Sequence, residues 1–211
     1  MAGIALIDVS GRRVTDALLA AMLHQAFLPG SIYELDRFGQ LTKQLFENLN
    51  TRFYQSSAAH RFIAMIYGEI SEEAQFRFLS AAQPFPMVFS NEYDRFMDVS
   101  DDLRVSFPPL GIQPSLDVID RNTTKSVLGF KDHYELNEWV LMGAGDILLL
   151  YTDGLGEHSN GREQYVPSRL EQKLREVKHQ GATEIFAAIT QDLRAFAEPS
   201  DDVSIVVIKR T

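Results

Sequence analysis

The chain has 211 residues, 45% of them hydrophobic and 23% charged, enough for one sizeable core and ordinary for a globular protein rather than a disordered or fibrous one. Twenty Lys and Arg against 29 Asp and Glu leave a formal charge of -9, which repels nucleic-acid phosphates and anionic lipid, and the absence of cysteine excludes disulfides and thiolate metal ligation. No apolar run approaches the roughly 18 residues of a membrane helix and no basic-then-apolar leader opens the chain, so a cytoplasmic protein without membrane insertion is expected.

In chain order, GIALIDVSG reads as a short buried strand, Ile4 to Ile7, running into Asp8 and a Ser-Gly turn. Thr15 or Asp16 can cap a helix through Leu18, Leu19, Met22, Leu23 and Phe27, and Pro29-Gly30 supplies its stop. Leu35, Phe38, Leu41, Leu45, Leu49 and Phe53 recur at spacings of three and four, which predicts a second, amphipathic helix. From Arg61 the period shortens. RFIAMIYGEI, QFRFLSAAQPFPMVFS and DDLRVSFPPLG predict a strand meander with turns at Ser71-Glu72-Glu73 and Asn91-Glu92. GDILLLYTDGLGEH, residues 145 to 158, is the most strand-like segment and ends in Asp153 on a glycine turn, with Gly154 permitting the tight turn. Leu170, Leu174 and Val177 mark a third helix, and Ile185, Phe186, Ile189, Leu193 and Phe196 a fourth. VSIVVI, residues 203 to 208, is a final strand.

The acids form a pattern on these elements. Asp8 ends the first strand, Asp153 follows the strongest one, and Asp201 and Asp202 precede the last. If the last strand runs antiparallel to the other two, all four carboxylates share one rim of the sheet. At an effective dielectric near 20, two such charges 4 Å apart repel by roughly 4 kcal/mol, so a convergence requires a cation between them. No Lys or Arg stands within two residues of Asp153 or of the 201/202 pair. An oxygen-only ligand set suits a hard cation such as Mg²⁺ or Mn²⁺. The competing reading is that these acids are ordinary turn residues at strand ends.

The ordered set DVSG, an aromatic-rich meander, GDILLLYTDGLGE and a terminal DDVSIVV resembles the SpoIIE-type branch of the PP2C (PPM) metal-dependent serine/threonine phosphatases, which includes RsbU-like regulators. The likeness covers nearly the whole chain. It implies an α+β fold, a PP2C-like α-β-β-α sandwich of two antiparallel sheets flanked by helices, with residues 1–211 as a single domain. It also implies that Asp8 bridges two Mn²⁺ or Mg²⁺ ions, that the Val9 carbonyl is a backbone ligand, that Asp153 and Asp201 complete the first metal site, and that Asp202 lies beside it. Asp8, Asp153 and Asp201 would then act in catalysis through metal-activated water that attacks the phosphorus of a phosphoserine or phosphothreonine in line. In this branch the usual substrates resemble phosphorylated STAS-domain anti-anti-sigma proteins of partner-switching pathways, and the helix pair at residues 15 to 55 resembles a switch element set by an upstream sensory region.

Three departures bear on these expectations. The family's G-G-D-x-x-D segment, which donates a carboxylate to the second metal, is absent, so the chain is expected to be the C-terminal part of a longer protein or a shortened member. Its second metal site should be incomplete, its first strand or strands lacking, and the uncovered sheet edge or apolar face should invite homodimerisation. Arg12-Arg13 replaces the usual His/Lys-Gly after DVSG and could hold a substrate phosphate through a bidentate guanidinium contact, or could be solvated turn residues. Ser80-Ala81-Ala82-Gln83 stands where the family has N-A-G-H. An alternative function follows from these changes: a catalytically weak or inactive module that binds a phosphoprotein or its partner. Other chemistries fit poorly. The five histidines lack metal-ligand spacing, with His158 alone close in sequence to Asp153, and neither a G-x-S-x-G elbow nor a G-x-G-x-x-G fingerprint is present.

Overall fold

The computed structural model describes residues 1–11, 13–56, 62–116, 126–140 and 142–211, with Gln55 and Ser56 described by their backbone alone. Its elements are β1 (Ala2–Val9), α1 (Val14–Phe38), α2 (Lys43–Ser56), β2 (Ile63–Ile70), β3 (Phe76–Ala81), β4 (Met87–Ser90), β5 (Arg95–Phe96), β6 (Ser106–Phe107), β7 (Asn137–Trp139), β8 (Ile147–Tyr151), α3 (Asp153–Gly156), α4 (Ser168–Val177), α5 (Ala182–Phe196) and β9 (Ile205–Lys209).

Two sheets result. One runs β1-β2-β3-β6, with β7 also paired to β3, and the other runs β5-β4-β8-β9. Pairing is antiparallel throughout except for the two-residue contact of β3 with β6. Strand alternation sorts the apolar residues into three layers. On β2, Met65 and Tyr67 pack with Leu19 and Leu23 of α1 and Phe46, Leu49 and Phe53 of α2. Ile66 points the other way and joins Leu6, Phe78, Val88, Leu148 and Leu150 between the sheets. On β8, Ile147 and Leu149 face Leu170, Leu174, Ile185 and Ile189 of α4 and α5. The order helix, sheet, sheet, helix is the expected α-β-β-α sandwich.

The Pro29-Gly30 stop does not occur. Helix α1 continues for 25 residues through Pro29 to a left-handed C-cap at Gly39, whose N–H bonds the Leu35 carbonyl. Gly30 serves packing instead, because a side chain there would run into Leu45 of α2. The periodic residues Leu35 and Phe38 therefore belong to α1, and the amphipathic stripe of α2 starts later. The helix begins one residue before the expected caps. Arg13 is the N-cap, and Asp16 at the third helical position accepts its backbone N–H at 2.8 Å. Short β5, β6 and β7 break the expected meander, with β7 held in register by Phe76 opposite Trp139 and Phe78 opposite Asn137.

A buried charge cluster ties α2 to the segment before β7. Glu47 accepts hydrogen bonds from the Ser115 hydroxyl, from the Tyr134 N–H at 2.8 Å and from Lys131 Nζ at 3.4 Å, and His133 Nδ1 lies 3.2 Å away. Burial alone would push the Glu47 carboxyl up, but the Ser115 and Tyr134 donors and the Lys131 ammonium outweigh it and hold the group below the usual carboxylate range. Replacing Glu47 with Ala leaves the buried Lys131 without its counter-charge and should cost about 3–5 kcal/mol. Urea denaturation of the variant and wild type measures the difference.

Candidate metal centre

The four acids of interest come from three strand ends, though not from one sheet as expected: β1 belongs to the first sheet, and β8 and β9 to the second. Asp8 is the penultimate residue of β1, paired opposite Ala64, and Val9 closes the strand opposite Ile63. Beyond β8 the backbone continues into Thr152 and the short α3, whose first residue is Asp153. Beyond Tyr151 opposite Ile205, the β8–β9 ladder extends by one step. Thr152 N–H bonds the Ser204 carbonyl at 3.1 Å, and Ser204 N–H bonds the Thr152 hydroxyl at 3.0 Å. This clasp draws the Asp201-Asp202 segment up to Asp153.

Gly154 accounts for the closeness of the approach. A Cβ there would collide with the backbone carbonyl of Asp202. Its φ is not in the left-handed region, so the glycine is needed for backbone contact and not for the tight turn expected from the sequence. The N–H of Gly154 donates to the Asp153 carboxylate at 2.8 Å, and the Asp202 N–H donates to that of Asp201 at 2.9 Å. Each carboxylate is thereby oriented by its own turn.

Electrostatics record the convergence. The Asp8 carboxyl is pushed above the usual carboxylate range, first by the protein packed around it and then by the negative charge of Asp153, with Asp201 and Asp202 adding to the rise. A hydrogen bond from the Val9 N–H acts in the opposite sense. Among the described residues no Lys or Arg enters that balance. Among the described residues no three acidic or imidazole groups are already drawn together into a ligating cluster. The donor set is nevertheless all oxygen and strongly negative, which fits Mg²⁺ or Mn²⁺.

Other residues singled out in the sequence fall elsewhere. Arg13 is at the N-cap of α1 with its side chain exposed, and Arg12 lies outside the described residues. His158 is a core residue. It is 1% exposed, its Nε2 lies 3.2 Å from the Leu193 carbonyl, and it packs on Tyr165 and Phe196. In the Ser80-Gln83 segment Ala82 adopts φ 60°, the conformation for which the family's glycine is suited, and Gln83 donates to the carbonyl of Ala64, the partner of Asp8.

A cleft of about 710 Å³ lined by Arg194, Glu198, Pro199, Ser200, Asp201 and Asp202 opens beside the acidic rim, and a second of about 530 Å³ adjoins it along α5 and the start of β9. Arg194, in the last turn of α5, lines both. Nothing in its sequence neighbourhood distinguishes it from a solvated helix-end arginine. Only the packing of α5 against β9 reveals its position.

Comparison with known proteins decides the family. The model of stage II sporulation protein E (SpoIIE) matches residues 2–211. The chain belongs to the SpoIIE family. No curated protein sequence matches it. Among solved structures the SpoIIE-family chain is similar to the RsbU and RsbW domains of Rv1364c from Mycobacterium tuberculosis (19% identity, TM-score 0.69, 99% of this chain and 53% of that one). It is also similar to the PP2C phosphatase domain with a regulatory fragment of SpoIIE from Bacillus subtilis (16%, 0.67, 98% and 54%) and to the SiaA PP2C domain of Pseudomonas aeruginosa (16%, 0.67, 99% and 74%). At these identities the likeness establishes the PP2C fold. The chain spans about half the length of the first two structures.

Two outcomes are expected of the rim itself. Because the folded-state pKa of Asp8 is raised, its ionised form destabilises the fold at pH values above both folded and unfolded pKa, and the penalty vanishes below both. Asp8→Asn should therefore raise the melting temperature of the metal-free protein in EDTA at neutral pH, and the gain should shrink as the pH falls through the Asp8 value. In a second variant, Gly154→Ala should displace the 201–202 segment and lower stability by about 1–3 kcal/mol, read by chemical denaturation.

Proposed function

We propose that this SpoIIE-family domain hydrolyses phosphoserine or phosphothreonine on a regulatory protein, with residues 1–211 acting as one catalytic unit. The observation that supports this reading is the electrostatic pressure that Asp153, Asp201 and Asp202 exert on Asp8 at the rim. Asp8, the Val9 carbonyl, Asp153 and Asp201 would hold Mn²⁺ or Mg²⁺, with Asp202 orienting the turn beside them. When bound, such a cation lowers the pKa of water and neutralises charge on a phosphoryl group. The chain's own share is to aim the Asp153 and Asp201 carboxylates, through the Gly154 and Asp202 amides, and to seat the substrate in the adjoining cleft. Arg194, which lines the cleft, is a cation available to a substrate phosphate among the described residues, and Arg12 or Arg13 is a further candidate from the sequence.

The substrate class follows from the family resemblance of the motifs: a phosphorylated STAS-domain anti-anti-sigma protein in a partner-switching pathway, with the domain in the cytoplasm. Among the described residues no helix is long and apolar enough to cross a membrane, which is compatible with that placement.

Calorimetric titration with Mn²⁺, paired with hydrolysis of p-nitrophenyl phosphate and of a phosphorylated STAS protein, tests the reading. One Mn²⁺ per chain is expected. Asp153→Asn should weaken metal binding and turnover by at least about 100-fold. If the full-length protein binds Mn²⁺ and hydrolyses neither compound, the domain is a binding module and the phosphatase reading fails.

A further inference from the structure

The second cleft, along α5 and the start of β9, is built differently from the rim it adjoins. Phe186, Thr190 and Arg194 follow one another at four-residue spacing, so they stand about one turn apart along one face of α5, with Leu193 beside them. Val203 and Ile205 supply the opposite wall. Phe186 belongs by spacing to the apolar stripe of α5, yet it is 44% exposed, and it is into this trough that it is exposed.

The polar groups along the trough are already engaged. The Thr190 hydroxyl donates to the Phe186 carbonyl at 2.8 Å, and the Ser204 N–H and carbonyl are both paired with Thr152. A pocket for a small polar molecule presents a few converging donors and acceptors, whereas the wall from Phe186 to Ile205 presents carbon. Among the described residues that line the trough, the charged ones are Arg194, Asp201 and Asp202, and these line the cleft beside the rim as well.

The two clefts are therefore continuous, and the continuity indicates the occupant. A phosphate drawn to the rim finds the Arg194 guanidinium at the junction, and whatever is attached to that phosphate meets apolar side chains farther along α5. Phe186 and Arg194 are eight residues apart in the helix, which is about 12 Å at 1.5 Å per residue. An extended segment spans that distance in about four residues at roughly 3.3 Å each.

We propose that this trough is a specificity site, which takes an apolar side chain of the phosphoprotein about four residues from the phosphorylated one. The identity of the ligand rests on the phosphatase reading given above, and the test separates the two. Its probes are fluorescent alanine-based peptides in which a non-hydrolysable phosphonate replaces phosphoserine and a single leucine is moved stepwise away from it on either side. With the 211-residue chain and Mn²⁺, fluorescence anisotropy should show binding tightened roughly tenfold when leucine stands about four residues away on one side, the gain expected from burying one apolar side chain. Phe186→Ala and, separately, Thr190→Lys should bring the ratio between leucine and alanine peptides close to one, with circular dichroism showing that each variant is folded. Arg194→Ala should weaken both peptides together and keep their ratio. Hydrolysis of p-nitrophenyl phosphate, too small to occupy rim and trough at once, reports on the phosphatase reading separately. A leucine preference that Phe186→Ala and Thr190→Lys abolish, in a chain that does not hydrolyse the ester, upholds the trough and overturns only that reading. Absence of a leucine preference, a preference that both variants retain, or one confined to the residues adjacent to the phosphonate overturns the trough whether or not the ester is hydrolysed.

Discussion

Like charges held close together on one rim are the constraint around which this fold is arranged. Asp8 comes from one sheet and Asp153, Asp201 and Asp202 from the other, and three features hold Asp153 to the 201–202 segment: the β8–β9 ladder, the Thr152–Ser204 clasp and the contact of Gly154 with the Asp202 carbonyl. Each feature opposes Coulomb repulsion with hydrogen bonding or backbone packing. The repulsion appears in the raised pKa of Asp8.

The two sheets supply the rigidity this requires. Every second residue of β8 enters the inter-sheet core, and the residues between them pack on α4 and α5, so neither face of the strand that carries Asp153 is free to slide. A one-residue register slip would exchange Ile147 and Leu149 with Leu148 and Leu150, and it would also turn the carboxylate away from the rim. Core packing and site geometry are thus one requirement at β8.

The sequence is legible where periodicity and end chemistry coincide. The apolar runs of β1, β8 and β9 end or begin in acids, and the stripes of α4 and α5 repeat without interruption, so these elements and the rim follow from local pattern. Where tertiary contact decides, local pattern misleads. Pro29-Gly30 reads as a stop, yet α2 packs Leu45 against Gly30 and carries the helix through. Strand β7 is three residues long and exists because β3 offers Phe76 and Phe78 as partners for its Trp139 and Asn137. Glu47 and Lys131 are 84 residues apart, His158 looks like a loop histidine and is a core one, and Arg194 acquires meaning only from its neighbours across the cleft. The family resemblance supplied the roles at the rim that spacing alone left open against a simple turn reading.

Helix α1 connects the rim to the rest of the surface. Its first turn is fastened by Asp16, which accepts the Arg13 N–H and packs so closely on Gly11 that any side chain there would collide with its carboxylate. Gly11 adopts φ 110° and lies three residues from Asp8, so the Asp16–Gly11 contact places the first turn of α1 close to the end of β1. The inner face of the same helix is anchored by Leu19 and Leu23, while its outer face has no counterpart among the described residues.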